Sequence, residues 1–277
     1  KDGTTKDVEV YAGVIEFNNN KFIMANIHDA TEKKKIAEAL LKSKEDAEKA
    51  NKLKDAFIAN ISHEIRTPLN GILGMTSLIK ESLAEHIGSD EMEFFNGIDR
   101  SSRRIIRTID MIINYSRFQV GDFPYNPQTT NIDILLKSII KDFKGTFDAK
   151  AINLEYSNKL GNINLTIDEY SITQAIGNLL DNAAKFTYEG YTKIMLYKDT
   201  NNNICLDIKD TGIGISEEYI AILFNPYTQE EIGYNRSFEG IGLGLSLVKK
   251  YLDLNKCTLT VTSEKNKGTT FTIKFPQ

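Results

Sequence analysis

The chain has 277 residues, of which 41% are hydrophobic and 26% are charged, and its formal net charge is −4. This length and composition are sufficient for one large or two modest globular domains, each with a buried core. The near balance of 34 basic and 38 acidic residues gives no indication of a nucleic-acid or membrane-surface partner, and none is expected.

The sequence contains no candidate membrane helix or secretion signal. No apolar segment approaches the ~20 residues that a membrane-spanning helix requires, and no signal peptide begins the chain. We therefore expect a soluble, cytoplasmic fragment. Because the sequence begins with Lys1 rather than Met, we expect it to be part of a longer protein, which leaves open an inner-membrane anchor upstream.

The first predicted element is a β-hairpin. Residues 7–29 alternate apolar and polar side chains, and the cluster Asn18–Asn20 supplies the turn. Two strands are too few for a domain of their own. The sequence HDATEK at residues 28–33 resembles the exit from a PAS sensor domain, which implies that residues 1–30 are the last strands of such a domain.

A long helix is predicted to follow. From Glu32 to about Ile61 the sequence is charged and contains no Gly or Pro, and Thr31 is a candidate N-cap. The residues at its heptad positions are small or polar in the middle of the helix. This predicts a signalling coiled coil over residues 31–55, although a solvated helix suits the stretch equally well. Since the apolar stripe continues further, we expect the helix to run through Pro68 and to bend there.

A second amphipathic helix is predicted at about residues 90–118. With the preceding helix it forms a hairpin over residues 56–122 that has too little internal core to bury both apolar stripes. Pairing two copies into a four-helix bundle would bury them, so we expect a homodimer. The pattern breaks at residues 121–124, which we interpret as a linker to the next domain.

Residues 127–277 are predicted to form an α+β domain. Helices are predicted at 131–147, 169–185 and 241–253, and strands near 152–157, 163–167, 191–198, 204–209, 257–263 and 268–275. Cys205 and Cys257 lie in two of these strands without the spacing of a metal or redox site, and are expected to be small core residues. The long Gly-rich segment 211–239 is expected to be functional, because loops of this length are uncommon.

Three histidines are candidate reactive groups. His28 lies at a strand end and His86 in a predicted loop, where each is expected to be an exposed surface residue. His63 lies on the long helix, about 200° around from Ile61 at 100° per residue, and so faces away from the apolar stripe. An exposed helical histidine is a weak signal by itself, so its interpretation depends on the surrounding motifs.

Five segments form an ordered set of motifs. They are SHEIRTPL at 62–69, QAIGNLLDNAAKFT at 174–187, DTGIGI at 210–215, LFNPYTQ at 223–229 and GIGLGL at 240–245. In turn they resemble the H-box, N-box, first glycine box, F-box and second glycine box of sensor histidine kinases, over about residues 50–277. The resemblance implies a dimerising HisKA phosphoacceptor hairpin, followed by a Bergerat-type α+β sandwich that binds ATP.

The predicted N-box helix carries polar groups suited to a metal-bound polyphosphate. Asn178 and Asn182 are one turn apart and share a face, and amide oxygens are suitable ligands for a hydrated Mg²⁺. Lys185, about one turn further on, can meet a phosphate as a compact positive charge. The resemblance implies that Asn182 binds the metal, that Asn178 contacts the nucleotide and that Phe186 belongs to the same site.

The first glycine box is predicted to hold the base of the nucleotide. Asp210 ends a strand, where its carboxylate can accept a hydrogen bond from an exocyclic amine such as N6 of adenine. Gly212 and Gly214 allow the backbone to approach a flat base closely. The site differs from a Walker loop because no Gly-Lys-Ser/Thr sequence follows the glycines.

The segment before the last helix is predicted to bind the phosphates. Gly240, Gly242, Leu243 and Gly244 lead into this helix, whose N-terminal N–H groups favour phosphate. The resemblance implies that Arg236 also faces a phosphate.

Residues 215–239 are predicted to form a lid over the nucleotide. The segment is mostly polar, and Phe224 and Tyr227 are its expected anchors, so its intrinsic folding energy should be small. We expect the lid to be mobile without nucleotide and ordered with ATP, with Phe224 packing back to close the site.

The resemblance implies a two-step phosphoryl transfer. The neutral imidazole of His63 would attack the γ-phosphate of ATP, with Glu64 as general base. The phosphoryl group would then pass to a response-regulator receiver domain, and Thr67 would orient a water for a phosphatase reaction. Two alternatives stay open at this stage, a dimeric ATP-binding scaffold without kinase activity and an ATPase of the same fold superfamily. The signal, the cognate regulator and the choice between transfer within one subunit and across the dimer do not follow from the sequence.

Overall fold

The structure is a computed structural model that describes residues 6–17, 20–82, 88–230 and 241–276. It divides into two compact units, Lys1–Phe57 and Ile58–Gln277. The helix that leads from the first unit into the second, α1, spans Thr31–Ser82. None of the helices in these described ranges has an apolar stretch long enough to cross a membrane.

The first unit begins with a β-hairpin, as predicted. β1 (Val8–Phe17) and β2 (Asn20–Asp29) pair antiparallel. Asn20 is the first residue of β2 rather than part of the turn, and residues 18–19 lie outside the described part of the chain. That this hairpin belongs to a PAS domain stays a prediction.

The predicted N-cap of α1 is displaced by one residue. Thr31 is already the first residue of the helix, and the Lys34 N–H donates to the Ala30 carbonyl at 2.9 Å. The Thr31 hydroxyl instead accepts a hydrogen bond from the Asp7 N–H at 3.0 Å, while the Thr31 N–H donates to Asp29 Oδ1 at 3.1 Å. The hydrogen bonds of Thr31 therefore connect the start of α1 to the beginning of β1 and to the end of β2.

The two long helices form the predicted hairpin. α2 spans Ser89–Val120, and α1 runs through Pro68 without ending there. Arg66 of α1 forms an ion pair with Asp110 of α2. α2 ends at Gly121, which adopts the left-handed conformation (φ 73°) that favours glycine. A bend at Pro68 stays a prediction.

The apolar stripe of the hairpin is only partly covered within one chain. Large exposed apolar side chains on the two helices include Ile72, Met75, Leu78, Ile79, Phe94, Ile98 and Ile105. Further upstream on α1, Ile36 and Leu40 are exposed as well. So many exposed apolar side chains on the helical hairpin suit helices that pack against another chain.

The C-terminal domain contains every predicted helix and strand, together with two short elements that were not predicted. Its elements are β3 (Gln128–Asn131), α3 (Ile132–Asp148), β4 (Asn153–Asn158), β5 (Asn164–Ile167), α4 (Glu169–Phe186), β6 (Tyr191–Lys198), β7 (Ile204–Asp210), α5 (Glu217–Ile220), α6 (Gly244–Leu254), β8 (Thr258–Glu264) and β9 (Gly268–Lys274). β3 and α5 are the additions. α6 begins at Gly244 instead of residue 241 because Gly242, at φ 73°, is incompatible with a right-handed helix.

Five strands form the main sheet in the order β4–β6–β7–β9–β8. β4 and β6 are parallel, and the other neighbouring strands are antiparallel. Helices α3, α4 and α6 cover one face, where alternate residues of β6 and β7, such as Ile194 and Ile208, are buried. β3 pairs with β5 in a separate small sheet. Cys205 and Cys257 are buried free thiols, as predicted.

A buried hydrogen-bond network fixes α4 against α6. Asp168 caps α4, since its Oδ2 accepts from the Ser171 N–H at 2.8 Å. Asn255, at the end of α6, accepts from the Asp168 N–H at 2.7 Å and donates through Nδ2 to Ser171 Oγ at 2.7 Å. The network joins the first turn of α4 to the end of α6. The two helices run antiparallel, so the end of α4 lies on the same side as the start of α6.

The linker after α2 is packed against the C-terminal domain. Phe123 stacks on Phe118 with ring centroids 4.1 Å apart and meets Tyr251 of α6 edge-on at 5.6 Å. Nearer the N-terminus of α2, the Arg107 guanidinium lies 2.6 Å from the Asp181 carboxylate of α4. The second helix of the hairpin therefore contacts both α4 and α6.

Candidate functional site

One face of α4 carries the predicted N-box residues. Asn178, Asn182, Lys185 and Phe186 are half-buried, whereas the alternating apolar positions are buried in the core, namely Leu179, Leu180, Ala183 and Ala184. The two asparagines are one turn apart and share a face. The prediction that the two asparagines lie on one face of a helix is therefore confirmed, and their roles as ligands stay predictions.

Lys185 lies in a cationic environment. Its Nζ is 4.8 Å from the centroid of the Phe186 ring, within the range of a cation–π contact. Burial lowers the pKa of Lys185, the Asp181 carboxylate opposes this shift, and the charges of Arg104 and Lys150 lower the pKa further. An anionic ligand here would relieve the repulsion among the three cations.

Asp210 is the buried acid of the site. It is the last residue of β7 and is 7% exposed. Its Oδ1 accepts hydrogen bonds from the N–H groups of Gly212 (2.9 Å) and Thr269 (3.2 Å). Burial raises the pKa of this carboxyl, and the two N–H donors oppose the shift. Because both bonds use Oδ1, Oδ2 keeps the capacity to accept a hydrogen bond from a ligand.

The glycines of the first glycine box are required by packing of the backbone. A Cβ on Gly212 would collide with the Phe186 carbonyl oxygen, and a Cβ on Gly214 (φ 64°) would collide with the Glu264 carbonyl oxygen. The end of α4 and the β8–β9 turn thus pack directly on the segment after Asp210. The two glycines shape the pocket through the protein's own backbone, and their close approach to a base stays a prediction.

The second glycine box makes a tight contact with the F-box. Gly242 has φ 73°, and a Cβ there would lie 2.8 Å from the Thr228 carbonyl oxygen. The Gly242 carbonyl accepts from the Tyr227 N–H at 2.9 Å. Gly244, by contrast, has open space around a Cβ position among the described residues. Leu243 is fully buried and belongs to the hydrophobic core, so its predicted contact with the nucleotide stays a prediction.

The described part of the predicted lid, residues 215–230, has different anchors from those expected. Leu223 is buried, and Tyr219 and Phe224 pack half-buried against the core. Tyr227 is 65% exposed, so its expected role as an anchor is wrong. Its φ is positive (63°), and its ring makes a T-shaped contact with the ring of Tyr115 on α2, with centroids 5.9 Å apart.

The predicted phosphoacceptor segment is part of α1. Glu64 and Thr67 are exposed on this helix. His28 is exposed in β2, as predicted. Four predictions fall outside the described part of the chain, those that concern the side chain of His63, His86, Arg236 and Gly240.

Two family models match the chain. Residues 53–121 match the His Kinase A (phospho-acceptor) domain. Residues 167–277 match the histidine kinase-, DNA gyrase B-, and HSP90-like ATPase. The first match covers the helical hairpin, and the second covers the domain from α4 to β9. The chain belongs to the sensor histidine kinases.

Curated histidine kinases are similar to most of the chain. The autoinducer 2 sensor kinase/phosphatase LuxQ of Vibrio parahaemolyticus is 30% identical over 240 residues, which are 84% of this chain and 28% of LuxQ. The circadian input-output histidine kinase CikA of Synechocystis is 32% identical over 83% of this chain and 32% of CikA. The chain therefore spans less than a third of the length of these relatives.

A solved structure shares the fold of most of the chain. The crystal structure of full-length ShkA in complex with AMPPNP has a TM-score of 0.62 and 22% identity, and covers 79% of this chain and 45% of that chain. At this identity the likeness concerns the fold alone. It agrees with the predicted architecture of a helical hairpin followed by an α+β ATP-binding domain.

Sequence reasoning missed the contribution of the β8–β9 turn to the surroundings of Asp210 in this histidine kinase. Gly268 has φ 108°, and a Cβ there would collide with the Asp210 carbonyl oxygen. Thr269, next to it, donates its N–H to Asp210, and its hydroxyl shares a 2.8 Å hydrogen bond with Ser263. A glycine after a polar turn was the available signal. The proximity of Gly268 to Asp210 depends on the pairing of β9 with β7, which no local sequence pattern specifies.

Proposed function

We propose that this chain is the kinase core of a two-component system. It uses MgATP to phosphorylate His63 and then transfers the phosphoryl group to an aspartate of a response-regulator receiver domain. The observation that carries the proposal is the setting of Asp210, a buried carboxylate with one oxygen available, packed against the end of the polar helix α4. This setting supports an adenine-nucleotide site in the same chain as a phosphoacceptor motif.

The base of ATP would bind at Asp210. Its Oδ2 accepts a hydrogen bond from the exocyclic amine of adenine, and a bond to a carboxylate is stronger than one between neutral groups. Oδ1 is held by two backbone N–H groups, so the carboxylate is already oriented before the nucleotide arrives. Asn178, on the adjoining face of α4, supplies a further polar contact to the nucleotide.

The phosphates would extend from α4 towards the start of α6. Lys185 supplies a positive charge, and the first N–H groups of α6 at Gly244 favour an anion. Asn182 would hold Mg²⁺ through its amide oxygen. The donor set suits this ion, because a neutral oxygen ligand on a half-buried helix face leaves room for water and phosphate ligands. When bound, Mg²⁺ neutralises the charge that develops during phosphoryl transfer.

The transfer itself would use the exposed face of α1. The neutral imidazole of His63 attacks the γ-phosphorus, an N–P bond forms, the bond to the bridging oxygen breaks and ADP leaves. Glu64 takes the proton from the other ring nitrogen. In the second step a regulator aspartate attacks the phosphorylated imidazole, which restores His63. Positioning of the two domains supplies most of the rate, because the transition state requires little covalent assistance.

Three further properties belong to the same proposal. The chain forms a homodimer, since the exposed apolar side chains of α1 and α2 would be buried in a four-helix bundle. Thr67, exposed on α1, orients a water that hydrolyses the phosphorylated regulator; the relative LuxQ is named as a sensor kinase/phosphatase. The chain works in the cytoplasm, where ATP is available, and membrane attachment would use other segments.

Labelling with γ-labelled ATP and Mg²⁺ tests the proposal. The label should be acid-labile and base-stable, as phosphohistidine is, and should move to a receiver domain when one is added. His63→Gln should abolish labelling and leave ATP binding nearly unchanged, whereas His28→Gln, on an exposed strand, should be labelled normally. Label on the His63→Gln protein would contradict the assignment. ATP hydrolysis without label would favour the ATPase alternative, and binding without either reaction would favour the scaffold.

A further inference from the structure

Two side-chain contacts show how α2 lies along α4. Near the start of α4, the Tyr170 hydroxyl accepts a hydrogen bond from Asn114 Nδ2 at 3.2 Å. About three turns further along α4, the Asp181 carboxylate lies 2.6 Å from the Arg107 guanidinium. The contact moves towards the C-terminus of α4 as it moves towards the N-terminus of α2. The two helices therefore run antiparallel where they meet.

The next turn of each helix carries a positive charge. Arg104 lies three residues before Arg107 on α2, and residues at this spacing share a face of a helix. Lys185 lies four residues after Asp181 on α4 and likewise shares its face. Because the helices are antiparallel, both steps lead in the same direction along the contact. Arg104 of the hairpin therefore lies level with Lys185 of the catalytic domain.

A third cation lies at the same end of α4. Lys150 Nζ donates to the Ala184 carbonyl at 2.7 Å, beside Lys185. Burial lowers the pKa of the half-buried Lys185, and the charges of Arg104 and Lys150 lower this pKa further, against the opposing effect of Asp181. Positive charge from both domains therefore acts on the Lys185 ammonium group. An anion placed between these three side chains would be attracted by all of them.

We propose that Arg104, together with Lys150 and Lys185, binds the γ-phosphate of ATP, so that the nucleotide binds across the contact between the hairpin and the catalytic domain. This inference rests on the proposed nucleotide site, whose contacts to ATP all come from the catalytic domain. With adenine at Asp210, the phosphate to be transferred is the end of ATP that must face the hairpin. A hairpin side chain that meets the nucleotide therefore meets this phosphate, and a guanidinium can hold two of its oxygens at once.

The register of the hairpin separates Arg104 from the phosphoacceptor position. Two side-chain contacts give the same register of α1 on α2, namely Arg66 with Asp110 and Lys80 with Asn96. By this register His63 lies level with about residue 113 of α2, roughly 13 Å along the helix from Arg104. Arg104 therefore holds ATP before transfer, and the catalytic domain must move along the hairpin to bring the γ-phosphate to His63.

The test compares nucleotides with and without the γ-phosphate. Calorimetric titration of the whole chain with Mg²⁺ uses ADP and AMPPNP, an ATP analogue that is not hydrolysed. In Arg104→Gln the affinity for AMPPNP should fall roughly five- to tenfold, as expected for a partly solvated guanidinium on a phosphate. ADP should bind wild type and variant equally. Arg104→Lys keeps the charge without the planar fork, so it should retain part of the affinity for AMPPNP.

The neighbouring arginine supplies a matched control. Arg103 pairs with Asp99 of the same helix at 2.8 Å. Arg103→Gln removes the same charge from α2 and should leave the affinity for both nucleotides unchanged. Arg103 and Arg104 are both exposed, so each variant should melt at the wild-type temperature. The control separates a local contact with the phosphate from the overall charge of α2.

Autophosphorylation gives a second measurement. In Arg104→Gln the ATP concentration for half-maximal labelling of His63 should rise by the same factor as the affinity falls. The rate at saturating ATP should not fall, because Arg104 lies too far from His63 to act on the phosphoryl group during transfer.

Three outcomes would overturn the inference and leave the proposed function intact. Unchanged affinity for AMPPNP in Arg104→Gln would remove the proposed contact. An equal loss for AMPPNP and ADP would place the effect of Arg104 away from the γ-phosphate. A lower rate at saturating ATP with unchanged affinity would assign Arg104 to the transfer step instead. A wild-type chain that binds neither nucleotide would overturn the proposed function and this inference with it.

Discussion

Replacing Asp210 with Asn changes one functional atom of the proposed adenine site. Asn keeps an acceptor oxygen for the N–H groups of Gly212 and Thr269, which now donate to Oδ1 at 2.9 and 3.2 Å, so the empty pocket should keep its shape. The other oxygen becomes an NH₂ group, a donor that would face the amine of adenine, another donor. Loss of one hydrogen bond to a charged group costs about 1.5–3 kcal/mol, so ATP affinity should fall roughly 10- to 150-fold.

The stability of the empty protein should respond differently from its affinity. Burial raises the pKa of Asp210 above 3.8, so protonation of this carboxyl favours the folded state. The stabilisation is complete below pH 3.8 and is lost as the pH rises through the raised pKa. Asn carries no such proton. At neutral pH, Asp210→Asn without nucleotide should therefore be at least as stable as wild type, and its advantage should shrink at low pH.

Calorimetric titration with ATP at several pH values, together with thermal melts without nucleotide, measures both effects. Wild-type ATP affinity should fall as the pH drops through the raised pKa of Asp210, because the protonated oxygen no longer accepts from the amine. Asp207→Asn is a matched control, since Asp207 lies on the other face of the same strand and accepts from Tyr197 and Thr272. Unchanged ATP affinity in Asp210→Asn would refute the reasoning, and so would a loss of affinity explained by unfolding of the empty domain.

Asn182→Asp should shift the Mg²⁺ dependence of autophosphorylation more than it shifts nucleotide binding, because it adds a charge at the proposed metal ligand; an unchanged Mg²⁺ titration would argue against that ligand. Gly268→Ala should lower the free energy of unfolding by roughly 2–3 kcal/mol, since φ is 108° and a Cβ meets the Asp210 carbonyl; denaturant titration checks this. Gly145→Ala, in open space on α3, is the control and should be neutral or stabilising by up to ~1 kcal/mol. Amides of residues 241–247 should become protected from hydrogen exchange by MgATP, and equal protection in both states would contradict phosphate binding there.

Helices and strands with a strong hydrophobic periodicity were predictable from the sequence to within one residue at each end. The helix predicted at 169–185 is observed at Glu169–Phe186, and the strand predicted at 204–209 is observed at Ile204–Asp210. Both have a regular apolar face that packs on the core, so local pattern and tertiary burial agree. The motifs within them placed Asn182 and Asp210 correctly on a helix face and at a strand end.

Features that depend on pairing between distant segments were not predictable. The four residues of β3 are too short and too polar for a strand pattern, and they are ordered by β5. The contact of Gly268 with Asp210 follows from strand order and register. Tyr227 looked like a lid anchor because it is aromatic, but its backbone conformation turns it outward.

The C-terminal end of helix α6 is fixed by the hydrogen bonds of Asn255, whereas its N-terminal end has no such bonds to α4 among the described residues. The helix has 11 residues and is therefore roughly 16 Å long, with Gly244 at its far end. A tilt of about 5° about the fixed end would move Gly244 by roughly 1.4 Å, which is enough to make or break a hydrogen bond. The hydrogen bond between Gly242 and Tyr227 would carry that movement into the F-box. A small rotation of α6 about Asn255 would thus displace its N-terminal end far enough to break a hydrogen bond, at the place where the phosphates are proposed to bind.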